Sequence, residues 1–181
     1  MEEKEAIQLL KRYSTGQREL KIVLAHSKAV QKLALEIAMK INKAGKRKAD
    51  IKFIRNAALL HDIGRFEHPP WKHAILHGVA GAKILKKEGL PLKYQKVCEN
   101  HLGAGITKSD VIKQKLPLPT KDYVPKTIDE KIICYADRQI YTTEKSSKRV
   151  PIEEDIKRLK RYGAAERLIK LRDEMESLMK K

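Results

Sequence analysis

Apolar residues recur at intervals of three and four almost everywhere along this chain, and runs that alternate apolar with polar residues are scarce. A period near 3.6 residues belongs to helices that bury one stripe, whereas strands alternate at every second residue. The chain therefore reads as all-α, a helical bundle with no sheet. The predicted helices run roughly over Glu3 to Tyr13, Arg18 to Asn42, Asp50 to Ile63, Ala74 to Lys87, Leu92 to His101, Lys108 to Gln114, Ile128 to Tyr141, and Ile152 to Met179 with a break at Gly163. Asp50 can cap a helix, Gly64 and Gly89 can stop one, and the pairs Thr107 with Asp110 and Thr127 with Glu130 have capping-box spacing. Glu67 to Lys72 and Leu116 to Pro125 are proline-rich and cannot continue a helix, so they are expected as surface loops bordering a cleft.

A chain of 181 residues is expected to form one domain over residues 1–181 with a core that needs no disulfide. A helix over 1–15 and amphipathic helices over 151–181, carrying Ile156, Leu159, Leu168, Ile169, Met175 and Leu178, are expected to pack on that body, with homo-oligomer formation the other use of such a face. The formal charge of +17, from 40 Lys and Arg against 23 Asp and Glu, is spread along the chain and attracts anions: nucleotides, phosphorylated metabolites or nucleic acid. Proteins from hot environments share such Lys- and Glu-rich surfaces whatever they bind. Cys98 and Cys134 lie in predicted helix interiors without CxxC spacing, which suggests a reduced, cytoplasmic protein. No apolar run has the length to span a bilayer, so no membrane partner is expected.

Polar residues on the inward stripes narrow the reading. His26 continues a stripe through Ile22, Val30, Leu33 and Ile37; His61 follows Ile54, Ala57 and Ala58; His77 shares a face with Ala80, Gly81 and Ile84. His101 follows Tyr94, Val97 and Cys98, and Asp137 sits among Ile133, Cys134, Ile140 and Tyr141. A buried aspartate without a partner costs several kcal/mol, so Asp137 must meet a cation or strong donors. Imidazoles and carboxylates from facing helices hold iron, manganese or zinc in bundle cores, and Asp62 beside His61 can bridge two such ions. A metal-free buried polar network is the competing account.

The string Leu59 to Gly64 (LLHDIG), with His26 before it and Asp137 after it, resembles the H...HD...D signature of HD-superfamily phosphohydrolases. More narrowly, the chain resembles the archaeal HDIG-domain family: His26 to Val30 (HSKAV), Ala57 to Arg65 (AALLHDIGR), His77 to Leu85 (HGVAGAKIL), Glu99 to Thr107 (ENHLGAGIT), Asp122 to Glu130 (DYVPKTIDE) and Tyr135 to Arg138 (YADR) look like its blocks in its order, over a core of about residues 20–145. The resemblance implies an HD-domain helical bundle with its metal site in the core. His26, His61, Asp62 and Asp137 match the basic ligand set, and His77 and His101 match the added histidines of the binuclear subgroup. The implied cofactors are one or two divalent transition ions, iron or manganese in preference to zinc, nickel or cobalt. The stretch before His77 is longer than the family's usual connection and carries His68, read as a loop residue, and His73. His73 lies one helical turn from His77 and competes with it; His77 begins the HxxxGA pattern and is preferred.

Such a centre suits hydrolysis of a phosphate ester, because ions lower the pKa of water and take up charge on a phosphoryl oxygen. Asp62 can orient the activated water or accept its proton. Arg65 can hold a non-bridging phosphate oxygen, or merely finish a helix. Lys28 and Arg138 lie near ligands in sequence and are candidate phosphate contacts, as are the backbones at Gly103 and Gly105. The expected substrate is an anionic, nucleotide-derived small molecule. The same six residues also resemble those of the mixed-valence diiron oxygenases of the superfamily. A third class, a basic RNA- or nucleotide-binding module, is opposed by an aromatic content of 5% and no stacking motif.

Overall fold

The computed structural model describes residues 1–180. Its elements are α1 (Glu3–Tyr13), α2 (Gln17–Ala44), α3 (Ile51–Leu60), α4 (His77–Lys87), α5 (Leu92–Asn100), α6 (Lys108–Lys113), α7 (Ile128–Asp137), strands β1 (Ile140–Thr142) and β2 (Ser147–Arg149), α8 (Ile152–Leu159) and α9 (Ala165–Met179), with 3-10 turns over Ile63–Phe66, Ala74–Leu76 and Lys160–Tyr162. The fold is all-α apart from that one hairpin. Asp50 caps α3 by accepting from the Phe53 N–H, Thr107 and Asp110 form the full capping box of α6, and the Thr127 hydroxyl accepts from the Glu130 N–H at the start of α7. These side chains satisfy donors that the first helical turn leaves orphaned.

One buried apolar cluster runs from Ala6, Leu9 and Leu10 of α1 to Leu168, Leu171 and Met175 of α9. The 28-residue α2 is its axis, touching α1, α3, α7, α9 and the hairpin. The apolar stripe of α9 lies on α2 and α7. Cys98 and Cys134 are buried, free thiols within α5 and α7, and burial pushes the Cys134 thiol up to about 12. No helix among the described residues is long and apolar enough to cross a membrane.

Four departures from the sequence reading bear on the centre of the molecule. First, α7 stops at Asp137, and Ile140 to Arg149 fold into an antiparallel hairpin where no sheet was expected. Ile140, Tyr141 and Thr142 are bulky or β-branched, and the Gln139 carbonyl accepts from the Val150 N–H, so strand geometry wins over continuation of the helix. Second, the proline-rich segment 116–125 does more than cover the surface. Leu118 and Tyr123 are buried with Val111 in a small separate core, and Tyr123 bridges to Ile106. Third, α3 ends at Leu60 and α4 starts at His77, so His61 and His77 lie at helix ends rather than in helix interiors.

The fourth is Gly64, which ends no helix by a left-handed turn. A Cβ there would lie 1.9 Å from the His77 carbonyl oxygen and 2.5 Å from the Gly81 nitrogen, so its hydrogen is what lets the 63–66 turn touch α4. At Gly78, likewise, a Cβ would meet the Leu102 side chain at 2.4 Å and the Cys98 carbonyl oxygen at 2.7 Å, against α5. These glycines bring together the segments that carry His61 and Asp62, His77, and His101. Gly64→Ala, which meets rigid backbone, should lower folding stability by about 3 kcal/mol or more in urea unfolding; a change within about 0.5 kcal/mol would show that the turn and α4 separate freely.

Candidate metal centre

His61 and His101 are the residues just past the ends of α3 and α5, and their rings find the carbonyls that a last helical turn leaves unpaired. Nδ1 of His61 lies 2.7 Å from the Ala58 carbonyl oxygen and Nδ1 of His101 2.8 Å from that of Cys98. Nδ1 of His77 contacts the Ala74 carbonyl in the same i to i−3 relation. A carbonyl only accepts, so each Nδ1 carries the proton and donates it. The other nitrogen of the neutral ring, Nε2, is then a bare lone pair.

Those lone pairs converge. Nε2 of His77 lies 2.9 Å from Nε2 of His101. The two nitrogens are 3.0 and 3.3 Å, respectively, from Oδ1 of Asp62. The other oxygen of Asp62 faces the opposite way, 3.7 Å from His26 Nε2 and 3.9 Å from His61 Nε2. Asp137 Oδ1 completes that second group, 2.9 Å from His26 Nε2 and 3.6 Å from His61 Nε2. Ligand atoms of His26, His61 and Asp137 lie within 4.8 Å of one another, as do those of His61, Asp62 and His101. The arrangement is two groups of N and O donors with Asp62 between them.

The electrostatics call for positive charge. His61 Nε2 and Asp62 Oδ1 are buried and have no hydrogen-bond partner. Burial alone would raise both carboxyls. At Asp62 it is outweighed by Arg65, His61 and His77, and at Asp137 by Arg138, the hydrogen bond with His26 and the nearby His61, so both stay well below the usual carboxylate range. Burial pushes His101 down to about 4. At His61 burial also acts downward, but Asp62 and Asp137 more than reverse it and raise the ring's pKa. Imidazole nitrogens and carboxylate oxygens around a space charged this way suit a divalent transition ion.

The sequence reading grouped His26, His61, Asp62, His77, His101 and Asp137, and the fold brings all six together. His77 is buried at the cluster, whereas His73 is exposed with a left-handed backbone. His68 is half-buried in the loop. Arg65 has Nε 3.4 Å from Asp62 Oδ2 and lines two cavities, of about 420 and 590 Å³, that open on either side of the cluster. Gly103 and Gly105 line the smaller; both have left-handed backbones, at φ 59° and 89°, so the turn itself requires them. Lys28 is a correction: it is exposed and lines neither cavity, because two residues beyond His26 is roughly 200° round the helix. Arg138 is half a correction. It lines both cavities but is half-buried and held between Asp137 and Asp155, and those carboxylates raise its pKa further.

Two residues were missed. Thr142 lies on β1 with its hydroxyl 3.2 Å from His26 Nδ1 and 2.8 Å from the Ser147 hydroxyl, orienting a ring that sits mid-helix with no free carbonyl nearby. The clue was the strand-like IYTT run. Asp155, which is 5% exposed and anchors Arg138 and Arg158, gives no signal in a stretch reading EED.

An HD domain model matches residues 23–140, a span that contains all six clustered residues. The chain belongs to the HD domain family. An uncharacterized protein of Methanocaldococcus jannaschii is 41% identical to this HD-domain chain over 163 residues, covering 87% of this chain and 90% of the relative. The tRNA (cytidine(56)-2'-O)-methyltransferases of Thermoplasma volcanium and Picrophilus torridus are 38% and 35% identical over 82% and 87% of this chain. The chain spans only 40% and 42% of their lengths. The HD domain of the L. monocytogenes phosphodiesterase PgpH, in a crystal structure with cyclic-di-AMP, superposes with a TM-score of 0.57 over 97% of this chain and 93% of that one at 20% identity, which shows a shared fold.

If a cation is what the converging lone pairs lack, stability should follow it. Adding manganese to chelator-treated protein should raise the melting temperature by several degrees, and chelation should reverse the rise; superimposable melting curves would mean that protons alone satisfy the cluster.

Proposed function

We propose that this HD-domain chain is a metal-dependent phosphohydrolase acting on a nucleotide or related phosphorylated small molecule. His77 and His101 would hold one ion, His26, His61 and Asp137 another, and Asp62 would bridge the two. The observation that carries the reading is the contact between Nε2 of His77 and Nε2 of His101 at 2.9 Å, beside Asp62 Oδ1, after the Nδ1 protons have been spent on carbonyls. Lone pairs facing one another at that range repel unless a cation sits among them. Divalent ions there would supply Lewis acidity, lowering the pKa of water to about 7 and offsetting charge on a phosphoryl oxygen. Asp62 would also orient the attacking water, and Arg65, at the meeting of both cavities, would hold a non-bridging oxygen.

Two further features support a nucleotide. Trp71 and Tyr141 line the larger cavity beside His26, Asp62 and Asp137, and are 75% and 54% exposed, so each offers an aromatic face to a base. The names of the methyltransferase relatives, together with the +17 charge, favour an RNA-derived nucleotide, or RNA itself, over a sugar phosphate.

Anaerobically purified protein should carry close to two transition ions per chain by elemental analysis, iron or manganese foremost, and should release phosphate or cleave a diester in a panel of nucleotide esters. His77→Ala and His101→Ala should each lose one ion, and Asp62→Ala should impair both; full occupancy in all three variants would remove the assignment. Arg65→Ala should keep its metal and lose about a hundredfold in kcat/KM, about 3 kcal/mol, with Lys restoring only part. Activity within about twofold of the parent at equal metal content would leave Arg65 with no part beyond its contact to Asp62.

A further inference from the structure

The smaller cavity reaches the cluster through His77 and Arg65, and its far wall comes from α8, the 160–162 turn and α9, beyond the span matched by the HD domain model. That wall contributes Arg158, Arg161 and Arg167, and Arg65 and Arg138 complete the set. Leu102, Leu159 and Ile106 make the remaining lining largely apolar.

Pairing leaves part of this charge unused. Arg138 is paired with both Asp137 and Asp155, and Arg158 with Asp155, so these two are largely satisfied. Arg167 reaches Asp110 at 2.7 Å through Nη2, while its Nε is buried with no partner. Arg161 lies over the Tyr162 ring at 4.7 Å and makes no ion pair among the described residues. A buried guanidinium N–H without an acceptor is costly, and a planar fork of donors matches phosphate oxygens. Asp110 itself is committed to the capping box of α6, so it cannot turn to satisfy both arginines. A volume of about 420 Å³ is in the range of ligand pockets.

We infer that this cavity is a second anion subsite, holding a phosphoryl group of the substrate other than the one cleaved, with Arg161 and Arg167 as its principal donors. This rests on the phosphohydrolase reading and narrows it: the substrate is a phosphate ester that carries at least one more phosphate, as in a nucleoside bisphosphate or the next nucleotide of an oligonucleotide. Arg161 and Arg167 set specificity, and Arg65 serves the reacting phosphate.

The test is binding to the metal-loaded protein, which reads out whether or not turnover occurs. Calorimetric titration compares AMP, adenosine 3',5'-bisphosphate and a 5'-phosphorylated dinucleotide, with Arg161→Glu and Arg167→Gln as variants. Both bear on the cavity wall, and the exposed position of Arg161 makes its variant safe for folding. The bisphosphate should bind at least tenfold more tightly than AMP. Arg161→Glu should erase that preference while AMP affinity and melting temperature stay within about twofold and 2 °C of the parent. A preference confined to the dinucleotide, and lost in the same variant, would place the second phosphate on a polynucleotide. Equal affinity for all three ligands, or a preference untouched by both variants, would overturn the subsite. If the metal-loaded chain cleaved no ester, the phosphohydrolase reading would fall on its own, since the Arg161-dependent preference is read separately.

Discussion

A backbone carbonyl that accepts the Nδ1 proton of a buried histidine decides where the lone pair of that ring points. In this protein three such carbonyls, at Ala58, Ala74 and Cys98, aim Nε2 of His61, His77 and His101 at one small space. Asp62 and Asp137 stand in the same space with their carboxyls well below the usual range. Beyond the contact of His26 with Asp137, the rings of His61, His77 and His101 and the ionised carboxylates turn lone pairs toward one another. The cluster therefore behaves as a cavity for positive charge, and the helices around it are organised to hold that arrangement rather than to relieve it.

Holding it depends on close approach. Gly64 and Gly78 remove the Cβ atoms that would keep the 63–66 turn, α4 and α5 apart, and the carbonyls of Ala58 and Cys98 lie in the last turns of α3 and α5. His26 is the exception. It sits within α2, whose carbonyls are spent on its own ladder, and its Nδ1 is met instead by Thr142 from the hairpin. Around the cluster, Arg65 and Arg138 offset the two carboxylates, and Asp155 in turn fixes Arg138. Charge alternates outward from the centre in this way, which tempers the desolvation cost of each group.

The centre opens to solvent on two sides. The larger opening carries exposed aromatic residues and the smaller one carries arginines. HD-family residues build the cluster itself, whereas α8 and α9 add the arginine wall from outside the matched span. The cluster thus lies within the matched span, and the wall beside it that carries Arg158, Arg161 and Arg167 comes from helices outside that span.

By itself, the sequence determined the helical class, the caps at Asp50, Thr107 and Thr127, and the six residues of the cluster, because helical periodicity and short polar motifs are local and each inward His or Asp had to be explained where it stood. Only the tertiary structure decided what local pattern could not carry. His77 is buried among the other rings and His73 is exposed, although they lie one turn apart in sequence. Gly64 turned out to permit contact between two segments rather than to end a helix, since the clash that a Cβ would make with the His77 carbonyl arises only after the turn and α4 have packed. The hairpin replaced the end of a helix because Thr142 and Val150 found partners distant in the predicted helices. The arginine wall could not be foreseen at all, as nothing about Arg158, Arg161 and Arg167 in an ordinary charged helix distinguishes them until α8 and α9 fold back beside His77.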